Sequence, residues 1–494
     1  MGRFPLVLLV RIVLLLGLWC GGGLGGRIHH ISQREGGGGG AREQRPGNDF
    51  FNGLECQSLN PNSVKRETFR SPPMRFRPGD VKNKFFDVQV PKGHIGKRDF
   101  FAEIVDENGV SVPLHEVYLH HWVMMGLAVP KKKKSAAEMT ATVKEIMTKA
   151  RNSHADDVVA PSHHHHHLGR RQHSRYATDD KGEDYIVLNF FGVGGETRGT
   201  LTRYPAPFAM EVGAPSSIPE GYERAWFLNV HGIDTRGAVN RMGCTECRCD
   251  LFNATTTERG DPLPEGYLGG LHCCTDERHC AVKEDFHGPE RTLYLQYTWE
   301  YVEWDECVVP TSQFGIDVTS KDSGHGLIEY TVEGCGNANP ESEDCVDTRD
   351  ATVIAPVGGV LIILVSHLHS TALDSSLWGE DGRLLCHSPP IYGNGTEAGN
   401  EDGYVIGVVS CYPAPGSPAS RIIQGERLHY QVKYSKVDGP HTGVMGLLGV
   451  QIVQDLPQKP NLLLLSLNHL TAFVSWISKS PVSLLTSLKE SLGL

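Results

Sequence analysis

The stretch GVLIILVSHLHS (residues 359–370) indicates the fold class most directly, because an apolar run rich in β-branched residues predicts a strand. Similar short runs, bounded by Gly, Pro, Asn or Asp, recur along the chain. They are FFDVQV (85–90), YIVLNF (185–190), WFLNV (226–230), LYLQYTW (293–299), YVIGVVS (404–410), LHYQVKY (428–434) and GLLGVQIV (446–453). The 56 glycines and 29 prolines suit a chain with many turns.

This pattern predicts an all-β protein built from two tandem jelly-roll-like β-sandwich domains. We place the first sandwich at residues 66–320 and the second at 325–455. The first contains an insertion at 130–180. Within it, 135–151 carries Met139, Val143, Ile146 and Met147 at helical spacing, which predicts a short helix.

Both ends of the chain differ in character from the middle. Residues 1–26 combine an early arginine with an apolar run and small residues, as in a signal peptide; an uncleaved anchor is the less favoured alternative. Residues 27–65 predict a disordered glycine-rich leader, and 456–494 form a tail of unclear structure. We therefore expect a secreted protein, extracellular or in the cell wall, with no integral membrane span in the mature chain.

The cysteine count agrees with an oxidising compartment. Of 13 cysteines, Cys20 lies in the signal and an even number remains. The cluster at 244–280 also resembles zinc-site spacing, but disulfides are favoured in a secreted chain. The disulfide candidates are Cys56, Cys244, Cys247, Cys249, Cys273, Cys274, Cys280, Cys307, Cys335, Cys345, Cys386 and Cys411. Two sequons, at Asn253 and Asn394, predict glycosylation.

The net charge of −11 disfavours nucleic acid and anionic membranes as partners. No G-x-S-x-G elbow is present in the sequence. An unidentified small molecule or peptide is the expected substrate, and the oligomeric state is not predicted.

Six side chains could bind a soft metal ion. A strand places both histidines of a His-x-His pair on one face, and a thioether adds a ligand that favours copper(I). Adjacent histidines face opposite ways in a regular strand, so that pair needs a bulge to bind one ion. A lone histidine or methionine is more often part of a core. The candidates are His120, His121, His231, His367, His369 and Met445.

From Phe69 to about Val453 the chain resembles the plant stress-up-regulated nodulin family. This resemblance implies a secreted or cell-wall-associated plant protein without implying a firm activity. The motifs that carry it are HHWVMM (120–125), VGGETR (193–198), NVHGIDTRG (229–237), GCTECRCDLFN (243–253), GGLHCC (269–274), LWGEDGRLLC (377–386), GNEDGYVIG (399–407) and HTGVMG (441–446).

The order HH, GGET, VH, HxH and Met also resembles the copper type II, ascorbate-dependent monooxygenases. The resemblance implies two copper ions and ascorbate as reductant. It assigns His120, His121 and His231 to an electron-transfer copper, and His367, His369 and Met445 to an oxygen-activating copper. Peptide-amidating relatives carry Arg, Asn and Tyr where this chain has Val365, Leu447 and Gly449, so we expect an apolar or neutral substrate.

Two functions therefore lead at this point, and a third, a carbohydrate- or peptide-binding module, would need an exposed aromatic platform. One is a secreted, stress-related, monooxygenase-like enzyme that hydroxylates an unidentified substrate. The other is a non-catalytic cell-wall or stress-response protein with the same double β-sandwich and at most a vestigial copper site. Copper content and reductant-dependent oxygen consumption discriminate between them.

Overall fold

The computed structural model describes residues 57–131, 138–144, 175–178, 184–320 and 327–455. The predicted signal peptide, nearly all of the leader, most of the insertion and the tail lie outside the described residues. Cys56 also lies outside them.

The prediction of an all-β protein is confirmed. Over the described residues, helix is limited to short 3₁₀ turns, to 138–144 (α1) and to Arg241–Thr245 (α2). The strands are β1 Lys65–Arg70, β2 Met74–Phe76, β3 Val81–Asp87, β4 Ile95–Val105, β5 Val117–Pro130, β6 Arg175–Thr178, β7 Asp184–Val193, β8 Phe208–Val212, β9 Tyr222–Asp234, β10 Arg291–Glu303, β11 Val309–Pro310, β12 Ser312–Asp317, β13 Tyr330–Val332, β14 Val346–Ile354, β15 Gly359–Leu368, β16 Ala372–Trp378, β17 Leu384–His387, β18 Pro390–Tyr392, β19 Val405–Val408, β20 Arg421–Ile422, β21 Arg427–Ser435, β22 His441–Val444 and β23 Gly446–Gln454.

The first half of the described chain forms two sheets that share one core. One sheet has the order β1-β10-β4-β8-β11, with β2 also on β10, and the other has the order β3-β9-β5-β7-β6. Aromatic side chains join them: the rings of Phe100 and Trp122 lie 4.7 Å apart, and those of Trp226 and Trp299 lie 5.4 Å apart. Buried aromatic pairs of this kind contribute about 0.5–1.5 kcal/mol each beyond their area.

The second half forms another pair of sheets, β12-β23-β15-β20 and β14-β21-β16-β17. Leu364 and Val450 from the first of them meet Tyr430 and Val432 from the second in a separate core. Strand β12 pairs with β23, the last strand, although it lies inside the range assigned above to the first sandwich. The jelly-roll connectivity of either half remains a prediction.

The two halves pack closely at β15. Ile362 and Ile363 belong to the hydrophobic core of the first half, and Val365 packs against both cores. A buried ion network reinforces the junction. Arg198 pairs with Glu103 at 3.0 Å and with Glu401, from the second half, at 3.1 Å.

The helical spacing of apolar residues within 135–151 predicted a helix, and α1 is the part of that helix that the structure describes. Val143 is buried in a small cluster with Met125 and Phe227, and Met139 packs against it. Ile146 and Met147 lie outside the described residues.

The cysteine cluster forms disulfides, as predicted, so the zinc alternative does not apply. The observed pairs are Cys244–Cys280, Cys247–Cys274, Cys249–Cys273, Cys335–Cys345 and Cys386–Cys411, and Cys307 is disulfide-bonded as well. Three of the bonds close loops within 244–280. These bonds stabilise a segment whose regular secondary structure is limited, over its described residues, to one short helix and isolated β-bridges.

Candidate metal centre

Three of the candidate histidines lie side by side on two paired strands. His121 of β5 is the direct Cα partner of His231 of β9, and the register shifts between Leu119 and His121. This irregularity makes His120 an extra residue in β5, which is the condition under which adjacent histidines can face one ion.

These three rings form a compact group. One ring nitrogen from each of the three lies within 4.8 Å of those of the other two. The ring centroids of His120 and His231 are 4.6 Å apart, and those of His121 and His231 are 5.0 Å apart. His120 and His231 are buried, whereas His121 is only half-buried. The group therefore has one side nearer to solvent.

Asn229 fixes the tautomer of His121. The Asn229 side-chain nitrogen donates to the Lys84 carbonyl at 3.1 Å and to Asn83 at 2.7 Å, so its oxygen faces His121. That oxygen lies 2.9 Å from His121 Nε2, which must carry the proton. Nδ1 of His121 then carries the lone pair that a metal ion requires.

His367 and His369 form a second group at the end of β15. Their Nε2 atoms lie 3.2 Å apart. Two imidazoles bound to one ion, with bonds of about 2.0–2.1 Å at a near-tetrahedral angle, place their nitrogens at about this separation. A ring nitrogen of His369 also bonds to the backbone of Gly443. Both rings are thus held by groups outside the pair.

Glu196 is a residue of this site that the ligand pattern missed. It is 2% exposed, and its Oε1 lies 2.5 Å from His367 Nδ1. The carboxylate accepts a hydrogen bond from the Nδ1–H group, and Nε2 of His367 faces His369. Glu196 lies in VGGETR, a motif that carries the family resemblance, and the Gly195–Arg198 turn places it at the junction.

Gly194 allows that turn to approach the histidines. A Cβ at this position would lie 2.5 Å from the His120 carbonyl oxygen and 3.1 Å from Cε1 of His367. A larger residue would push the turn away from both groups.

The backbone of Met445 lies next to the backbone of His369 at the end of the antiparallel β15–β23 pair. Met445 directly precedes Gly446, whose Cα partner is Leu368. The hydroxyl of Tyr434 accepts from the His369 N–H at 2.9 Å and donates to the Met445 carbonyl at 2.5 Å. Met445 is 5% exposed, and neither core cluster includes it among the described residues. Its assignment as a ligand remains a prediction.

The structure brings the two sets of histidines together. The rings of His120, from the first half, and His369, from the second, are in edge-to-face contact with centroids 5.1 Å apart. Five of the six predicted ligands therefore form one cluster at the junction of the halves, and the backbone of Met445 lies next to it at the end of the β15–β23 pair.

The environment keeps part of the cluster uncharged. Burial, and then the neighbouring His231, hold the pKa of His120 well below its ordinary value. Burial and His367 do the same for the pKa of His369. Burial also lowers the pKa of His367, but the Glu196 charge and hydrogen bond outweigh it and the net shift is upward. Neutral imidazole is the form that binds metal.

The arrangement fits a metal ion. His120 Nδ1 is buried and has no hydrogen-bond partner among the described residues, which is costly unless another group satisfies it. Nitrogen ligands with a nearby thioether suit copper. His120 also lies close to Cys247 and Cys274, but these sulfurs are joined in a disulfide and are not thiolate ligands.

Other candidate features lie apart from this cluster. Asn253 and Asn394 are both exposed, as glycosylation requires. A surface pocket of about 410 Å³ is lined by Arg77, His279 and Phe286, among others, and by none of the clustered histidines. Over the described residues, no helix is long and apolar enough to cross a membrane.

The family model for stress up-regulated Nod 19 proteins matches residues 62–455. The chain belongs to this family. The matched range contains all six candidate ligands and Glu196. Membership in the Nod 19 family makes this a stress-related protein, as the family description states. No functionally curated protein matches the chain.

Comparison with solved structures adds little to the family assignment. The chain is similar to a Sputnik virophage structure at 9% identity, with a TM-score of 0.19, covering 79% of this chain and 85% of that one. It is also similar to the VP2 subviral particle of infectious bursal disease virus at 11% identity, with a TM-score of 0.12, covering 89% and 95%. Scores this low carry no argument about this Nod 19 family member.

Proposed function

We propose that this protein is a secreted copper enzyme that hydroxylates a C–H bond of a neutral substrate, using dioxygen and a reductant of the ascorbate type. The observation that carries the proposal is the five-histidine cluster at the junction of the two halves. His121 and His367 each have one ring nitrogen held by a polar partner, which leaves the lone pair on the opposite nitrogen. Such outer contacts support metal binding, and core packing does not require them.

Copper bound in the cluster would supply the one-electron steps by which dioxygen is activated. The reaction places one oxygen atom in the substrate C–H bond and releases the other as water, with two electrons and two protons from the reductant. His120, His121 and His231 would hold one ion. His367, His369 and Met445 would hold the other.

The chain's own residues orient these ligands and control access to them. Asn229 and Glu196 fix the rings of His121 and His367, which are the half-buried members of the cluster. Because His120, His231 and His369 are buried, substrate approach on the side of His121 and His367 is favoured.

The residues near His367 suit a neutral substrate. Val365 lies two residues before His367 on β15 and is the Cα partner of Gly449, while His367 itself pairs with Leu447. Alternate residues of a strand share a face, so Val365 lies on the His367 side. None of these three side chains carries a charge that could bind a substrate carboxylate.

Copper stoichiometry tests this function. The protein, secreted from a eukaryotic host, is loaded with copper and dialysed, and its metal content and ascorbate-dependent oxygen consumption are measured. We expect two tightly held coppers per chain and oxygen uptake above that of a metal-free control. Protein without bound copper, or with copper and no oxygen uptake, would contradict the enzyme proposal.

Glu196→Gln is expected to lower copper affinity at the His367 and His369 site by about 10–100-fold, because an amide orients the His367 ring less strongly than a carboxylate. Competition with a chelator measures the affinity. Glu211→Gln is the matched control, since Glu211 also pairs with a histidine, His94, at 2.8 Å but lies outside the cluster. Equal affinity in both variants would exclude the role of Glu196.

A non-catalytic copper protein is the second candidate, and one observation favours it. His120 is 1% exposed and His231 is 0% exposed, and structural metal sites are characteristically closed. This alternative predicts bound copper without ascorbate-dependent oxygen consumption, so the same experiment distinguishes the two.

A further inference from the structure

His120 is the ring that joins the two predicted sites. It packs against His231 of its own group with centroids 4.6 Å apart, and against His369 of the other group at 5.1 Å. His121, its neighbour along the chain, is farther away, at 5.6 Å between centroids. The bulge in β5 displaces His120 from the regular alternation and thus determines this placement.

No protein layer separates the two groups at this point. An edge-to-face contact at 5.1 Å is van der Waals contact between the His120 and His369 rings. A metal–nitrogen bond of about 2.0–2.1 Å keeps an ion just outside the ring that binds it. Two ions bound by rings in mutual contact are therefore near neighbours.

The surroundings also favour two positive charges close together. Glu196 is 2% exposed and reaches the cluster through His367, so its negative charge lies within the buried site.

We infer that the two coppers form one magnetically coupled dinuclear centre, with His120 and His369 in contact between them, and not two independent centres. This inference rests on the proposed function, because it requires both ions to bind. It changes the expected chemistry, since the contact between the His120 and His369 rings would offer a path between the two ions without solvent or a protein layer.

Electron paramagnetic resonance of the oxidised protein, loaded with copper(II), tests the inference. Metal content and integrated spin are measured on the same sample. We expect two coppers per chain with either a half-field transition or an integrated spin well below two per chain. His369→Ala should hold one copper with a full, uncoupled spin.

The outcomes separate the two proposals. Two coppers with two full spins, and no half-field signal, overturn the coupled centre and leave the copper enzyme standing. A single copper per chain also overturns the dinuclear centre. Protein without bound copper overturns the proposed function, and the coupled centre with it. Zinc-loaded protein serves as the diamagnetic blank for the spectra.

Discussion

His369→Ala is expected to lower copper content from two ions per chain to one and to abolish ascorbate-dependent oxygen consumption. The variant removes a nitrogen that lies 3.2 Å from His367 Nε2, so the second ion loses one of its two imidazoles. We expect the remaining imidazole, with the predicted Met445 thioether, to bind copper too weakly for the ion to survive dialysis. Metal analysis and an oxygen electrode measure the two effects.

His387→Ala is the control for this experiment. His387 lies in the same half of the protein, is exposed, and pairs with Asp374 at 2.7 Å on the surface. Its loss should leave copper content and oxygen consumption unchanged. If His369→Ala kept two coppers and the wild-type rate of oxygen uptake, His369 would not be a ligand.

The sequence predicted the fold class because strand signals are local. Runs such as 359–366 and 446–453 need only β-branched residues between turns, and the corresponding strands β15 and β23 pair with each other. Disulfide formation was predictable in the same way, from composition and the predicted compartment. The pairing of Cys247 with Cys274 was not, because connectivity depends on how the segment folds.

The site was only partly predictable. The types and order of the candidate ligands can be read from the sequence. The contact between His120 and His369 cannot, because it depends on how the two halves pack. A single-residue bulge decides which way His120 faces, and periodicity does not reveal it. Glu196 was missed because one acidic residue in a turn carries no spacing signal until its partner, 171 residues away, is known.

Arg198 shows a further limit of prediction from the sequence, because nothing in the motif VGGETR distinguishes a buried arginine from an exposed one. The side chains of Arg198 and Glu401 are 10% and 0% exposed. Arg198 also donates to the Val112 carbonyl at 2.9 Å, and Glu401 accepts from the Leu114 N–H at 2.8 Å. The turn that positions Glu196 is thereby fastened to both halves of the protein.

Arg198→Met is expected to lower the free energy of unfolding by about 3–5 kcal/mol, because it leaves Glu401 buried without its counter-charge. Urea denaturation of the metal-free protein measures this effect without a contribution from lost copper binding. The control is Arg203→Met, since Arg203 pairs with Glu300 but is 53% exposed, and exposed pairs contribute about 0–1 kcal/mol.

The same variant links stability to the site. Arg198 and Glu196 occupy one short turn, Gly195–Arg198, so loosening the turn should also weaken the hold of Glu196 on His367. We therefore expect Arg198→Met to lose copper from the His367 and His369 site more readily than Arg203→Met. Equal unfolding free energies and equal copper retention in the two variants would show that the buried network stabilises neither the junction nor the site.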